Sequence, residues 1–262
     1  MTANVQDAFV LLGDSLTQYG FEPNGFATRL ASAYIRKLDV INRGFSGYNT
    51  DWIIPVFEQI FATQHEQQHV PSVRLLTIWF GANDAALSPS AQHVPLERYK
   101  ANLSKLIRAL RSPDSPHYSP DTRILLLTPP PVDAARWAES LAGFTGTDVQ
   151  PPDRSLEATR RYAEGAREVG VQEGVAIVDV WTKVWDAAGR DEKKLGPFFS
   201  DGLHLSSKGY AIVYDALVAA IAEECPEHHY DRLQTVFVTF DQIVADPVHY
   251  RELTKKRSAF PV

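Results

Sequence analysis

A three-layer α/β/α domain built on a five-stranded parallel sheet is the fold class that the sequence predicts. Two observations carry it. Five short apolar runs alternate with longer stretches of helical period, and each run is followed by glycine or polar turn residues. Strands separated by helices need crossover connections, which lay the strands parallel and cover both faces of the sheet.

In chain order, the predicted strands are residues 9–12, 39–42, 74–79, 123–128 and 176–180. The first lies in AFVLL and closes at Gly13, where the backbone turns out of it. Helices are predicted at about 25–36, 51–64, 96–110 and 155–168, each with apolar residues at mixed three and four spacing. A last helix is predicted over 206–223, with Ser206 as its N-cap and Ala211, Ile212, Leu217, Val218 and Ile221 as its buried side. The segments SPDSPHYSP and VQPPDRS read as loops. One domain is expected over 1–225. Residues 226–262, with the apolar cluster TVFVTF, form a C-terminal appendage expected to pack on the domain or on a partner subunit, and a homodimer is one such arrangement.

Composition excludes several classes. The 262 residues are 44% apolar, enough for a substantial core. With 26 basic against 32 acidic residues the net charge is −6, and no Lys/Arg stripe forms, so no nucleic-acid partner is expected. The first residues lack a basic segment, and the apolar run after them is too short for a signal peptide or membrane span. A single cysteine, Cys225, rules out an internal disulfide. A cytoplasmic protein with no membrane span is the expectation.

Ligands of such sheets bind beyond the carboxyl ends of the strands, so the residues there matter most. GDS with Ser15 follows strand one, and NRGFSGYNT with Gly44 and Gly47 follows strand two. FGAND with Asn83 follows strand three, and TPPPVD follows strand four. After strand five and a helical segment comes FFSDGLHLS, with Asp201 and His204. These are the parts of a serine hydrolase. A serine hydroxyl is a weak nucleophile until an imidazole takes its proton, and His204 suits that task. The imidazole in turn needs an acceptor at its other nitrogen, which Asp201, three residues earlier, supplies. A tetrahedral intermediate requires preorganised donors, here the N–H groups of Ser15 and Gly47 and the Asn83 amide. No step calls for a metal or an organic cofactor.

Competing signals have plainer readings. Asp14 is expected to fix the serine turn by accepting backbone N–H bonds. Ser46 in GFSG is turn structure, because the second glycine of a G-x-S-x-G elbow comes one position too early. Cys225 beside Pro226 is packing, and His228, His229 and Asp231 read as a solvated tail without metal-ligand spacing. Phe198, Phe199 and Leu203 flank the acid and base, where they either join the core or line an acyl or alcohol pocket.

Taken together, GDSLT, NRGFSGYNT, GAND and DGLH resemble the four signature blocks of the SGNH, or GDSL, hydrolases. They stand in that family's order across about 190 of the 262 residues. The wording RGFSGYNT, FGANDA, PLERYKANL and DGLHLSSKGY is similar to the isoamyl acetate-hydrolyzing esterase branch. The resemblance implies a flavodoxin-like sheet of order 2-1-3-4-5 and action on carboxylic esters. It also implies Ser15, Asp201 and His204 as catalytic residues, with Gly47 and Asn83 in the oxyanion hole. Hydrolysis of small uncharged esters through an acyl-enzyme is the expected function. Deacetylation of a sugar or cleavage of a lysophospholipid is chemistry the same site can perform, and a catalytically silent α/β binding protein is the alternative of another class.

Overall fold

The computed structural model describes residues 6–261. Met1–Val5 and Val262, the outer ends of the two segments expected from sequence, lie outside the described residues. Five strands form one sheet: β1 Asp7–Gly13, β2 Leu38–Gly44, β3 Val73–Trp79, β4 Arg123–Leu127 and β5 Ala176–Val178. All pairings are parallel and the order is β2-β1-β3-β4-β5, as the resemblance implies. Leu11 of β1 stands level with Asn42 of β2 and Thr77 of β3, which brings the turns after these three strands to one edge.

Alternation along the strands builds two cores, because successive side chains point to opposite faces. Phe9, Leu11, Leu75 and Leu125 pack on one face with Leu30 of α2 (Phe26–Ala33), Val184 of α7 (Val180–Ala187) and Leu217 of α8 (Ser207–Glu224). Val10, Leu12, Leu76 and Leu126 pack on the other with Ile53 of α3 (Thr50–Ile60), Leu103 of α4 (Leu96–Arg111) and Val169 of α6 (Leu156–Glu173). These are the three layers. Among the described residues no helix is long and apolar enough to cross a membrane.

Differences from the expected elements have local causes. β5 ends two residues early because the Asp179 side chain caps α7, accepting from the Thr182 N–H. Helix α2 stops at Ala33, and Arg36 beyond it takes a positive φ of 61°. A helix not predicted, α5 (Ala134–Thr145), follows TPPPVD, with Asp133 accepting from the Arg136 N–H to start it. The buried side of α8 runs through Tyr210, Val213, Leu217 and Ile221, so Ala211, Ile212 and Val218 lie at its half-buried margin instead of its centre.

Residues beyond Cys225 run back along the end of α2. The Tyr34 hydroxyl donates to the His228 carbonyl, Lys37 to that of Tyr230, and Arg36 to those of Phe237 and Val238. Leu233, Val236 and Val238 are buried in this seam. The helices α9 (Phe240–Ala245) and α10 (Tyr250–Leu253) then carry Phe240, Val244 and Val248 outward into solvent.

Central burial on β1 sets a testable cost. Leu11→Ala removes a fully buried side chain and should destabilise the fold by about 2–5 kcal/mol. Urea unfolding measures it, and a loss under about 1 kcal/mol would show that this face is loosely packed.

Candidate active site

Ser15, Gly47 and Asn83 stand on the turns that follow β1, β2 and β3, and Asp201 and His204 on the loop before α8. β1 ends at Gly13, and Asp14 caps the one-turn helix α1 (Ser15–Gln18) by accepting the Leu16 N–H at 2.9 Å. That cap fixes the turn which presents Ser15, a residue only 4% exposed. The Ser15 hydroxyl lies 3.0 Å from His204 Nε2, although 189 residues separate the two in the chain. His204 Nδ1 lies 2.6 Å from Asp201 Oδ2. With Nδ1–H donating to the carboxylate, Nε2 is left as acceptor for the serine proton.

Asp201 is itself organised by the turn it starts. Its Oδ1 accepts the backbone N–H groups of Leu203 at 2.9 Å and His204 at 2.7 Å. Half burial works against the charged form, but bonds from the His204 ring and these two N–H groups outweigh it and hold the carboxyl below the usual range. Asp201 therefore stands ionised beside the imidazole. Gly202 makes the turn feasible, with a φ of 100° and a Cβ position that would fall 2.5 Å from the Trp137 nitrogen.

Helix α5, missed in the sequence, clamps this loop. Arg136 donates to the carbonyls of Gly196, Phe199 and Ser200, Ser140 to that of Asp201, and the Asp133 N–H to that of Gly202. From the other side, the Tyr210 hydroxyl at the start of α8 donates to the Leu16 carbonyl at 2.9 Å. The apolar spacing of Trp137, Ala138, Leu141 and Ala142 is the sequence signal that marks α5.

Gly47 and Asn83 stand on the adjacent turns. Among the described residues, neither the Ser15 nor the Gly47 N–H donates to another protein group. Gly47 has a φ of 82°, and little protein crowds its Cβ position, so its conformation and not its surroundings requires glycine. Asn83 Nδ2 donates to the Tyr48 carbonyl at 2.8 Å, which leaves its second proton for a ligand. Two polar residues that sequence reasoning passed over, Gln92 and Arg154, surround the Asn83 oxygen at 3.2 and 3.1 Å.

Of the two places open to the hydrophobic residues flanking the acid and base, the structure shows the core. Phe198, Phe199 and Leu203 are buried in the core beneath the loop and do not line the depression at His204. The depression, about 400 Å³, is lined by Tyr19, Glu22, Trp137 and Phe144 together with Ser200, Asp201, His204 and Leu205 of the loop. Tyr19 and Trp137 approach the His204 ring edge-on, at 5.2 and 5.8 Å between centroids.

The competing groups are placed by the same geometry. Ser46 holds the turn, its N–H donating to Gln18 Oε1 at 2.9 Å. Cys225 is buried at the end of α8, and that burial pushes its thiol up to about 11, far from a thiolate at neutral pH. Among the described residues, no group of three or more His, Cys, Asp or Glu stands close enough together to hold a metal ion.

Known proteins resemble this chain in sequence and in fold. The model of the GDSL-like Lipase/Acylhydrolase family matches residues 11–212. An isoamyl acetate-hydrolyzing esterase 1 homolog of Bos taurus is 37% identical over 210 residues, covering 79% of this chain and 78% of that one. A GDSL esterase/lipase of Arabidopsis thaliana is 36% identical over 220 residues, covering 82% and 85%. Among solved structures, a lipase/acylhydrolase from Enterococcus faecalis superposes with a TM-score of 0.58 at 22% identity, covering 87% of this chain and 98% of that one. The acetylxylan esterase of Geobacillus stearothermophilus gives 0.59 at 18%, covering 84% and 96%. These two structural likenesses are likenesses of fold.

Two buried acids beside the site make a stability prediction. Burial pushes the Asp14 carboxyl up to about 7 against the Leu16 N–H, and nearby Asp84 adds to the rise. Asp84 is likewise pushed up to about 7 by burial, despite accepting from Thr50. Such a carboxyl releases its proton near pH 4 in the unfolded chain, so between about pH 4 and 7 the folded state binds more protons. Its contribution to stability is therefore lost as pH rises through that window. Asp14→Asn keeps an acceptor for Leu16 and removes the titration, so its stability relative to wild type should grow between about pH 5 and 8. Urea denaturation at each pH tests this; a constant difference would mean that Asp14 stays ionised throughout.

Proposed function

The chain belongs to the GDSL-like lipase/acylhydrolase family, and we propose that it is a serine esterase that cleaves small uncharged carboxylic esters through an acyl-enzyme. The observation that carries this reading is the unbroken path from Asp201 Oδ2 through His204 to Ser15 Oγ, with contacts of 2.6 and 3.0 Å. A serine so paired is primed to attack a carbonyl carbon.

In the first half-reaction, Ser15 Oγ bonds to the ester carbon while its proton passes to His204 Nε2. The carbonyl oxygen takes the electron pair of the broken π bond and meets the N–H groups of Ser15 and Gly47 and the second Asn83 Nδ2 proton. Asp201 supports the imidazolium through Nδ1–H. The C–O bond to the alcohol then breaks, and His204 returns its proton to that oxygen. In the second half-reaction water takes the alcohol's place: His204 accepts its proton, the hydroxyl attacks the acyl carbon, and Ser15 leaves with the proton restored.

The depression around His204 supports a small substrate. Tyr19, Trp137, Phe144 and Leu205 give it a largely apolar wall, and a volume of about 400 Å³ matches a compact ester better than a long-chain lipid. The relative from Bos taurus carries the name of an acetate-ester hydrolase, which supports the same class.

Three measurements test the reading. Ser15→Ala should abolish the burst of p-nitrophenol from p-nitrophenyl acetate with the fold intact, and a persisting burst would mean that another group attacks. Asn83→Ala should lower kcat by about 10²–10³ while KM changes little. Isoamyl acetate should outrun octanoate esters in the wild-type protein. Faster turnover of the longer acyl chain would overturn the small-ester assignment.

A further inference from the structure

The loop that contains VQPPDRS brings a charge into the interior. Arg154 is 1% exposed, and its planar guanidinium serves four acceptors there. Nε donates to the Ala82 carbonyl at 3.1 Å and Nη1 to Asp153 Oδ2. Nη2 donates to Asn83 Oδ1 at 3.1 Å and to Gln92 Oε1 at 2.7 Å. The guanidinium also lies 5.7 Å from the centre of the Trp137 ring, the same ring that borders His204.

Gln92 extends this contact to the second turn. Its Nε2 donates to the Gly47 carbonyl at 2.9 Å and to Asn83 Oδ1 at 3.2 Å, and its backbone carbonyl accepts from Asn49 Nδ2 at 3.0 Å. One amide side chain thus ties the turn after β2 to the turn after β3. An arginine has only donors, so the groups it touches in Asn83 and Gln92 must be their oxygens. That leaves each amide one orientation, with Asn83 Nδ2 aimed toward Tyr48 and the site.

We propose that Arg154, acting with Gln92, is a positioning residue that fixes and polarises the oxyanion-binding amide of Asn83 and holds it in register with Gly47. The inference rests on the esterase reading and adds to it the device that sets the side-chain donor. A charge-assisted bond to Oδ1 draws electron density from the amide and strengthens Nδ2–H as a donor. It also removes the alternative amide orientation, which would turn an oxygen toward a developing negative charge. The strengthened Nδ2–H bond matters most once negative charge has developed on the substrate oxygen and little for the neutral ester, so the effect that Arg154 exerts through Asn83 belongs to the transition state.

The test is a set of variants assayed with p-nitrophenyl acetate. Arg154→Met should lower kcat by about 10- to 100-fold with KM within about threefold of wild type, and Arg154→Lys should recover part of the loss. Because Met leaves Asp153 Oδ2 and the Ala82 carbonyl without the donor that Arg154 supplies and risks the fold, Gln92→Leu at a partly exposed position supplies a second route, with an expected loss of about 10-fold in kcat. In an Asn83→Ala background either substitution should have almost no further effect, since the group it acts through is gone. Full additivity in that cycle, or a loss confined to KM, overturns the positioning role. Ser15→Ala in the same assay separates the two levels: if wild-type turnover does not depend on Ser15, the esterase reading falls and this inference with it. If turnover depends on Ser15 while folded Arg154 and Gln92 variants keep wild-type kcat, only the inference falls.

Discussion

One imidazole must reach two partners at once, and the architecture is arranged around that requirement. Asp201 is three residues from His204 and Ser15 is 189 residues away, so one contact is a property of a turn and the other a property of the whole domain. The local contact is secured by Gly202 and by the N–H groups that Asp201 accepts. The distant one depends on α8 and α5 pressing the loop onto the end of β1. Tyr210 does this directly, reaching from α8 to the carbonyl of Leu16, the residue after Ser15. Parallel strands make the arrangement economical, because they deliver every turn that matters to one edge.

Most of this was legible in the sequence, for identifiable reasons. The five strands announced themselves through apolar runs closed by turn residues, and the alternation of Phe9, Val10, Leu11 and Leu12 between two cores follows from the strand's own period. Ser15, Gly47, Asn83, Asp201 and His204 were legible because each lies in a short block whose chemistry is unusual for a turn. The structure brings all five to one edge of the sheet, and Asp14 meets Leu16 as an Asx cap should.

What could not be read are contacts that depend on packing across the fold. Arg136 and Ser140 matter through carbonyls some sixty residues away, and nothing in AARWAES says which loop will lie across it. Arg154 sits in a Pro-rich stretch whose composition indicates a solvated loop, and its burial is decided by distant acceptors in Ala82, Asn83 and Gln92. Phe198, Phe199 and Leu203 show the same limit: their place beside Asp201 and His204 in the sequence left core and pocket wall equally open, and packing across the fold puts them in the core.

The two kinds of donor proposed for the oxyanion place unequal demands on the fold. A backbone N–H is fixed once its turn is fixed, so the caps and strand ends around Ser15 and Gly47 suffice. A side-chain amide adds rotatable bonds and a choice between oxygen and nitrogen at its tip. Sterics alone distinguish those two ends poorly, since they are almost the same size. Only a neighbour with donors and no acceptors removes the ambiguity, and a guanidinium meets that condition from several directions at once. Burial sharpens the choice further, because the wrong orientation would set donor against donor where no water relieves it. It follows that polar residues should gather behind Asn83 and not behind Gly47. The structure has this asymmetry, with Arg154 and Gln92 on the amide oxygen and a single bond from Gln92 on the Gly47 carbonyl.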